Sequence, residues 1–360
     1  MQRAGFLVCT VLLLMTACTA APPPAPTAVP TPAAPAATEA PQLTPVTIGN
    51  TGNTADAPLF IAYEKGYFRD QGLDVKFQYF QSANDTIAPL GAGQLDVGAG
   101  AISAGLFNAV ARGVDVKLVA DKGQHSGNAQ NGFNSAVVLV VPKGDLDKYH
   151  SLADLKGKTV ALNSTGTGNE IMLDRGLQSV GLSTKDITVK TIGFPDMLAA
   201  LTTHGVDVAV EIEPFVTQGA AKDILEPWLK SEDLYAGQEG GVLIYGTTMT
   251  KQHPDVGDRF MVAYIKGIRD YYEAFGSKHK DQDQIATLVA KNASVKDVSL
   301  YSRMQWDPID PDGYVNADPV AYDLDWYASH GYVQEKPNMA QVIDNTFVDH
   351  ALTTLGRYTP

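Results

Sequence analysis

Cysteine is nearly absent: the 360-residue chain has two, Cys9 and Cys18, too few for a disulfide scaffold or a Cys-rich zinc site. Basic residues are scarce too, 27 Lys and Arg against 40 Asp and Glu, leaving a formal charge of −13. Phosphate contacts need clustered Lys and Arg, so this balance excludes general nucleic-acid binding. No apolar run reaches the roughly 20 residues that a membrane-spanning helix requires. There is no P-loop, no HExxH and no CxxC. Residues 98–103 (GAGAIS) lack the third small Gly or Ala of a dinucleotide loop. Residues 100–105 (GAISAG) carry one residue too many between Gly and Ser for a nucleophile elbow. Residues 307–313 (DPIDPDG) hint at a calcium loop, but its first and last ligand positions would fall on Pro308 and Pro319, so the stretch reads as a turn. What is present is a globular composition, 44% hydrophobic and 19% charged, with length enough for two ordinary domains.

Residues 1–3 are short and positive, and residues 4–15 (AGFLVCTVLLLM) form the apolar core of a signal peptide. The run ends Leu14-Met15-Thr16-Ala17-Cys18, which resembles a bacterial lipobox, with Met15 where Leu is commonest. We therefore expect a lipoprotein signal peptide over 1–17 and lipidation of Cys18; an ordinary signal peptide is the alternative. Nine of the 27 residues in 19–45 are proline. Residues 18–45 read as an extended tether between the acylated cysteine and a folded body on the extracytoplasmic face of the cell membrane.

From Val46 onward, short β-branched runs alternate with helical segments, the pattern of α/β domains with parallel sheets. Strands are expected at 46–49, 73–77, 95–99 and 116–120, then at 159–162, 187–192 and 206–210. A helix should begin near Pro58, capped by Asp56 and closed by Gly66, with others over 85–90, 103–111, 167–180 and 195–203. Leu90, Leu95, Asp96 and Val97 recur 111 residues later as Leu201, Val206, Asp207 and Val208, and Gly72-Leu73 recurs as Gly181-Leu182. Two similar lobes follow: 46–135 with 248–360, and 142–241. The apolar runs 136–141 and 242–247 read as hinge crossings between them. Beyond Met249 the chain is mostly helical, over about 255–275, 282–293, 319–327 and 339–355, and should pad the first lobe.

The stretch Ala57-Pro58-Leu59-Phe60-Ile61-Ala62-Tyr63-Glu64-Lys65-Gly66-Tyr67-Phe68, followed by Gln71-Gly72-Leu73-Asp74-Val75, resembles the nitrate/sulfonate/taurine-binding and thiamine-pyrimidine-synthase-like proteins. So do Gly91–Gly98, Asp154-Leu155-Lys156-Gly157-Lys158, Gly166-Thr167-Gly168, Glu211-Ile212-Glu213-Pro214-Phe215 and Val342-Ile343-Asp344-Asn345. The resemblance implies a periplasmic-binding-protein-like α/β fold, two Rossmann-like lobes joined by two crossover segments, closing on a small solute by hinge motion. It also implies delivery to an ABC permease with a cytoplasmic ATPase, by a monomer without a cofactor. A sensory binding protein is one alternative. A synthase-like enzyme is another, disfavoured because those enzymes use a Cys-rich motif.

Ligands of such folds bind outside the carboxyl ends of the strands. The loops expected there supply Asn50, Thr54 and Asp56, then Ala101 and Ser103, Thr165, Gly166 and Thr167, and Glu211 and Glu213. Asn134, Phe194 and Tyr245 complete the candidate set. These loops contain no Arg or Lys. A carboxylate about 4 Å from a bound anion would repel it by about 4 kcal/mol at an effective dielectric of about 20. The expected solute is therefore neutral or amine-bearing, such as an aminopyrimidine, with a Glu accepting from its amino group.

Overall fold

The computed structural model describes residues 42–125 and 132–359; the expected signal peptide, Cys18 and most of the tether lie outside them. Among the described residues, ten strands form two five-stranded sheets. They are β1 (Thr44–Asn50), β2 (Leu73–Tyr79), β3 (Val97–Gly100), β4 (Lys117–His125), β5 (Val137–Pro142), β6 (Thr159–Leu162), β7 (Thr188–Thr191), β8 (Val208–Ile212), β9 (Leu225–Lys230) and β10 (Gln238–Tyr245). The first sheet, in lobe 1, has the order β2-β1-β3-β10-β4, and the second, in lobe 2, β7-β6-β8-β5-β9. In each, three parallel strands are followed by one antiparallel strand that pairs onward to the fifth. The two lobes share one plan.

The sequence echo has a physical counterpart. Asp96 stands just before β3, and its Oδ2 accepts the Thr47 N–H at 2.8 Å; Asp207 stands just before β8 and accepts the Thr159 N–H at 2.8 Å. The two carboxylates tie β1 to the entry of β3 and β6 to the entry of β8, equivalent neighbours in the two sheets. Leu90 and Leu201 are both fully buried at the ends of equivalent helices. Gly72 and Gly181 each take a φ above +70° after a helix, a conformation that side chains with a Cβ avoid.

Residues 136–141 and 242–247 are not free crossings. The first run lies almost wholly in β5, between β8 and β9, and the second runs through the end of β10, between β3 and β4. Their unbroken apolar character is that of strands buried on both faces, with every residue of β5 inaccessible. The chain changes sheet elsewhere, between β4 and β5 and between β9 and β10. The helix expected over 339–355 is also two, Met339–Val342 and Thr346–Leu355. Ile343 between them bridges to Leu118, and the Asp344 N–H reaches the Leu118 carbonyl, so the break covers the open edge of β4. The long helix Pro254–Phe275 buries Phe260, Ile265 and Ile268 and packs Phe260 on Phe68 of lobe 1, ring centroids 4.8 Å apart.

Candidate functional site

Residues at or just past the carboxyl ends of β1, β3, β6 and β8 surround one cavity of about 50 Å³. Thr51, Asn53, Gly100 and Ala101 come from lobe 1; Asn163, Thr167, Asn169, Phe194 and Ile212 come from lobe 2. The strands that connect the lobes close the remaining side with Lys122, Gly123 and His125 of β4, Val137 of β5, and Gly240 and Gly241 of β10. Gly240 is required by proximity: a Cβ there would sit 2.5 Å from the His125 ring.

The two lobes touch across this cavity. Ser103 and Thr167 form an antiparallel bridge, with the Ala104 N–H to the Gly166 carbonyl at 2.9 Å and the Gly168 N–H to the Ile102 carbonyl at 3.2 Å. On another side, the Thr54 N–H and hydroxyl both reach the Glu213 carbonyl at 3.2 Å. Tyr332 donates to Glu170 at 2.9 Å, and the other Glu170 oxygen accepts the Gly166 N–H at 2.7 Å. These contacts hold the two lobes against each other across the cavity.

Charge inside the cavity is compensated. Lys122 Nζ lies 2.9 Å from Asp56 Oδ1, with side chains 2% and 0% exposed, and the other Asp56 oxygen accepts the Gly52 N–H. Burial pulls His125 down to about 4, so the ring is neutral at neutral pH; its Nδ1 faces Gln238 Oε1 at 3.0 Å. Burial pushes Asp307, another lining residue, up to about 7 against the opposing Ala136 N–H at 2.8 Å. The rest of the polar lining is hydroxyl and amide: Asn53 bonds Thr51, and Asn169 bonds Asn163 at 3.1 Å. Phe194 supplies the aromatic surface. Among the described residues, no group of three His, Cys, Asp or Glu is placed to hold a metal ion.

Of the residues proposed from sequence, Ala101, Thr167 and Phe194 line the cavity. Ser103 caps the helix Ala104–Ala111 through the Leu106 N–H, and Thr165 and Gly166 belong to the contact between lobes, where Asn84 donates to the Thr165 carbonyl. Thr54 acts in that contact too. Asn50 is buried behind the cavity, and Asp56 meets it only through Lys122; it stands at the helix start without capping it, because Lys122 and Gly52 occupy its oxygens. Tyr245 is core, donating to the Gly257 carbonyl and packed on Phe347. Asn134 accepts from Lys230 at 3.1 Å, away from the cavity.

Glu211 and Glu213 share an exposure, as their spacing requires, and it is complete burial. Neither lines the cavity. Glu213 accepts from the Thr217 N–H and hydroxyl, capping the helix Phe215–Ala221, and from the Gln305 N–H. Burial raises both carboxyls, and Glu213's charge raises Glu211 further. The reading of a cleft with Glu and without Lys is thereby inverted: Lys122 is inside and both glutamates are elsewhere. Lys122, His125, Asp307 and the asparagine pair were not legible beforehand, because their positions depend on how the connecting strands and the 303–313 segment fold back.

The sequence matches the profile of the family described as NMT1/THI5 like over residues 53–274. The riboflavin-binding protein RibY of Chloroflexus aurantiacus is 28% identical over 265 residues, 72% of this chain and 71% of its own. The 4-amino-5-hydroxymethyl-2-methylpyrimidine phosphate synthase THI11 of Saccharomyces cerevisiae is 28% identical over 156 residues, 43% of this chain and 42% of the synthase. Among solved structures, the periplasmic nitrate-binding protein NrtA of Synechocystis PCC 6803 superposes with a TM-score of 0.69 at 14% identity, covering 88% of this chain and 90% of NrtA. The ligand-binding component of an ABC-type import system from Staphylococcus aureus gives 0.68 at 15% identity, covering 86% and 99%. These two share the fold.

Proposed function

The chain belongs to the NMT1/THI5-like family, and from that premise we propose that it is the extracytoplasmic solute receptor of an ABC importer, tethered to the membrane through a lipidated Cys18. The observation that carries the reading is the cavity itself, lined by both lobes and sealed by backbone contacts between them. A cavity formed only on closure captures a solute and presents a distinct shape to a permease.

Its lining favours an uncharged heteroaromatic solute. The one lining lysine is neutralised by Asp56, and the amides of Asn53, Asn163 and Asn169 offer both donors and acceptors around Phe194. A pyrimidine or a flavin ring presents matching groups along its edge and an apolar face, in keeping with what RibY and THI11 are named for; either would hold the lobes further apart than here, since about 50 Å³ is less than one aromatic ring needs. The enzyme alternative lacks support in the body of the chain, since residues 46–360 contain no cysteine.

Calorimetric titration of the purified protein with riboflavin, hydroxymethyl-aminopyrimidine, nitrate and an alkylsulfonate tests this reading. We expect one of the two heteroaromatics to bind, and Asn169→Ala to weaken it at least tenfold. Tight binding of nitrate or the sulfonate alone, indifferent to Asn169, would overturn the solute class. Mass spectrometry of membrane-extracted protein should show an acylated N-terminal Cys18; processing and membrane retention unchanged in Cys18→Ser would overturn the anchor.

A further inference from the structure

A second and larger hollow, of about 430 Å³, opens on the opposite face of the lobe 2 sheet. Its floor is apolar, formed by Val138 of β5, Val216 and Ala220 of the helix Phe215–Ala221, and Pro227 of β9. Two cations, Lys230 and Arg303, stand in its wall. Lys230 is partly committed, to Asn134 at 3.1 Å and Glu232 at 3.7 Å. Arg303 makes no hydrogen bond or ion pair among the described residues. The wall also holds Ser135, fully buried, whose hydroxyl has no partner among the described residues. The lining acid Glu213 already receives three donors, two from Thr217 and one from Gln305.

We propose that this hollow is a second ligand site, taking a small monoanion with an apolar body, its carboxylate or sulfonate head held by Arg303 and Lys230 with the Ser135 hydroxyl donating. The body covers Ala220 and Pro227, which are otherwise exposed to water, over the buried Val138 and Val216. An arginine fork is suited to a planar or tetrahedral oxyanion, and an unpaired buried hydroxyl is relieved by donating to one. The site joins two parts of the chain: the floor belongs to lobe 2, while Arg303 and Gln305 arrive on the segment that follows the lobe 1 helices. Occupancy therefore favours the closed arrangement, in which both sides are present together.

The test uses 1-anilinonaphthalene-8-sulfonate, a fluorescent apolar-bodied anion, and its uncharged analogue N-phenyl-1-naphthylamine, on the folded full-length protein. The expected result is saturable sulfonate binding at least tenfold tighter than that of the uncharged analogue, weakened at least tenfold by Arg303→Glu and abolished by Ala220→Trp, which fills the floor. Circular dichroism confirms that both variants are folded, and an Asn169→Ala protein, altered in the interlobe cavity but not in the bridge between the lobes, should bind the dye unchanged. Equal binding of the two dyes, insensitivity to both Arg303→Glu and Ala220→Trp, or loss of binding in Asn169→Ala would each overturn the proposal.

Discussion

Lys122→Met should be among the most destabilising single substitutions in this protein. Lys122 and Asp56 are paired at 2.9 Å in a site from which water is excluded, with side chains 2% and 0% exposed. Removing the lysine strands the Asp56 carboxylate with one remaining donor, the Gly52 N–H at 2.8 Å. Breaking one side of a buried pair typically costs about 3–5 kcal/mol, because the surviving charge keeps its desolvation penalty and loses its partner. At about 2–4 °C per kcal/mol for domains of this general size, that is a fall in Tm of roughly 6–20 °C. Asp56→Asn should cost about as much for the converse reason. The double variant Asp56→Asn/Lys122→Met carries no buried charge and should recover most of the loss. Urea unfolding of the four proteins, followed by tryptophan fluorescence, gives the double-mutant cycle and the coupling energy directly. Either single variant costing less than about 1 kcal/mol, or a double variant as unstable as the sum of the singles, would refute the reasoning that the pair is a buried, mutually dependent unit.

Three further outcomes are expected. Asp307 has a folded-state pKa of about 7 against an ordinary 3.8, so the folded state holds its proton more tightly and the resulting stability is present below about pH 4 and lost as the pH rises through 7. The stability of the wild type relative to Asp307→Asn should fall by roughly 4 kcal/mol between those limits, at about 1.4 kcal/mol per unit, and a flat difference in chemical denaturation would contradict it. Asp96→Ala and Asp207→Ala each remove one half-exposed strand-pinning bond and should each cost about 1 kcal/mol; unequal thermal losses would break the equivalence of the lobes. Tyr332→Phe deletes the hydroxyl that reaches Glu170 across the lobes and should weaken solute binding about fivefold while raising the radius of gyration of the unliganded protein in solution scattering.

The fold was readable from punctuation: Gly72 and Gly181 after helices, Pro58 in a first turn, and the repeated Leu-Asp-Val entry into a strand all mark local geometry that the sequence dictates. The site was less readable, for two physical reasons. Glu211 stands near a strand end and on that ground is expected in the cleft, yet alternation along β8 turns Ile212 to the cavity and Glu211 to the face it shares with its partner Val138. Placement at a strand end does not fix which face a side chain takes. The second reason is non-local pairing. The apolar run predicts a strand ending at Ala120, but β4 continues through Asp121, Lys122 and His125. Those polar residues are tolerated inside because Asp56, Gln238 and the 310 backbone meet them from far along the chain. A single sequence carries no signal for such partners.

The late return of β10 to the first sheet makes the two lobes unequal in the order of their assembly. Lobe 2 draws all five of its strands from one continuous stretch, Val137 to Lys230. Lobe 1 cannot complete its sheet in the same way, because β10 must insert between β3 and β4, and more than a hundred residues separate the end of β4 from the start of β10. As the chain emerges from its N-terminus, β3 and β4 therefore have no common neighbour until the whole of lobe 2 has been made. Lobe 2 is the half able to form first, and lobe 1 is closed by its own returning chain, so the long-range, slower contacts fall on the lobe that carries both ends of the folded body.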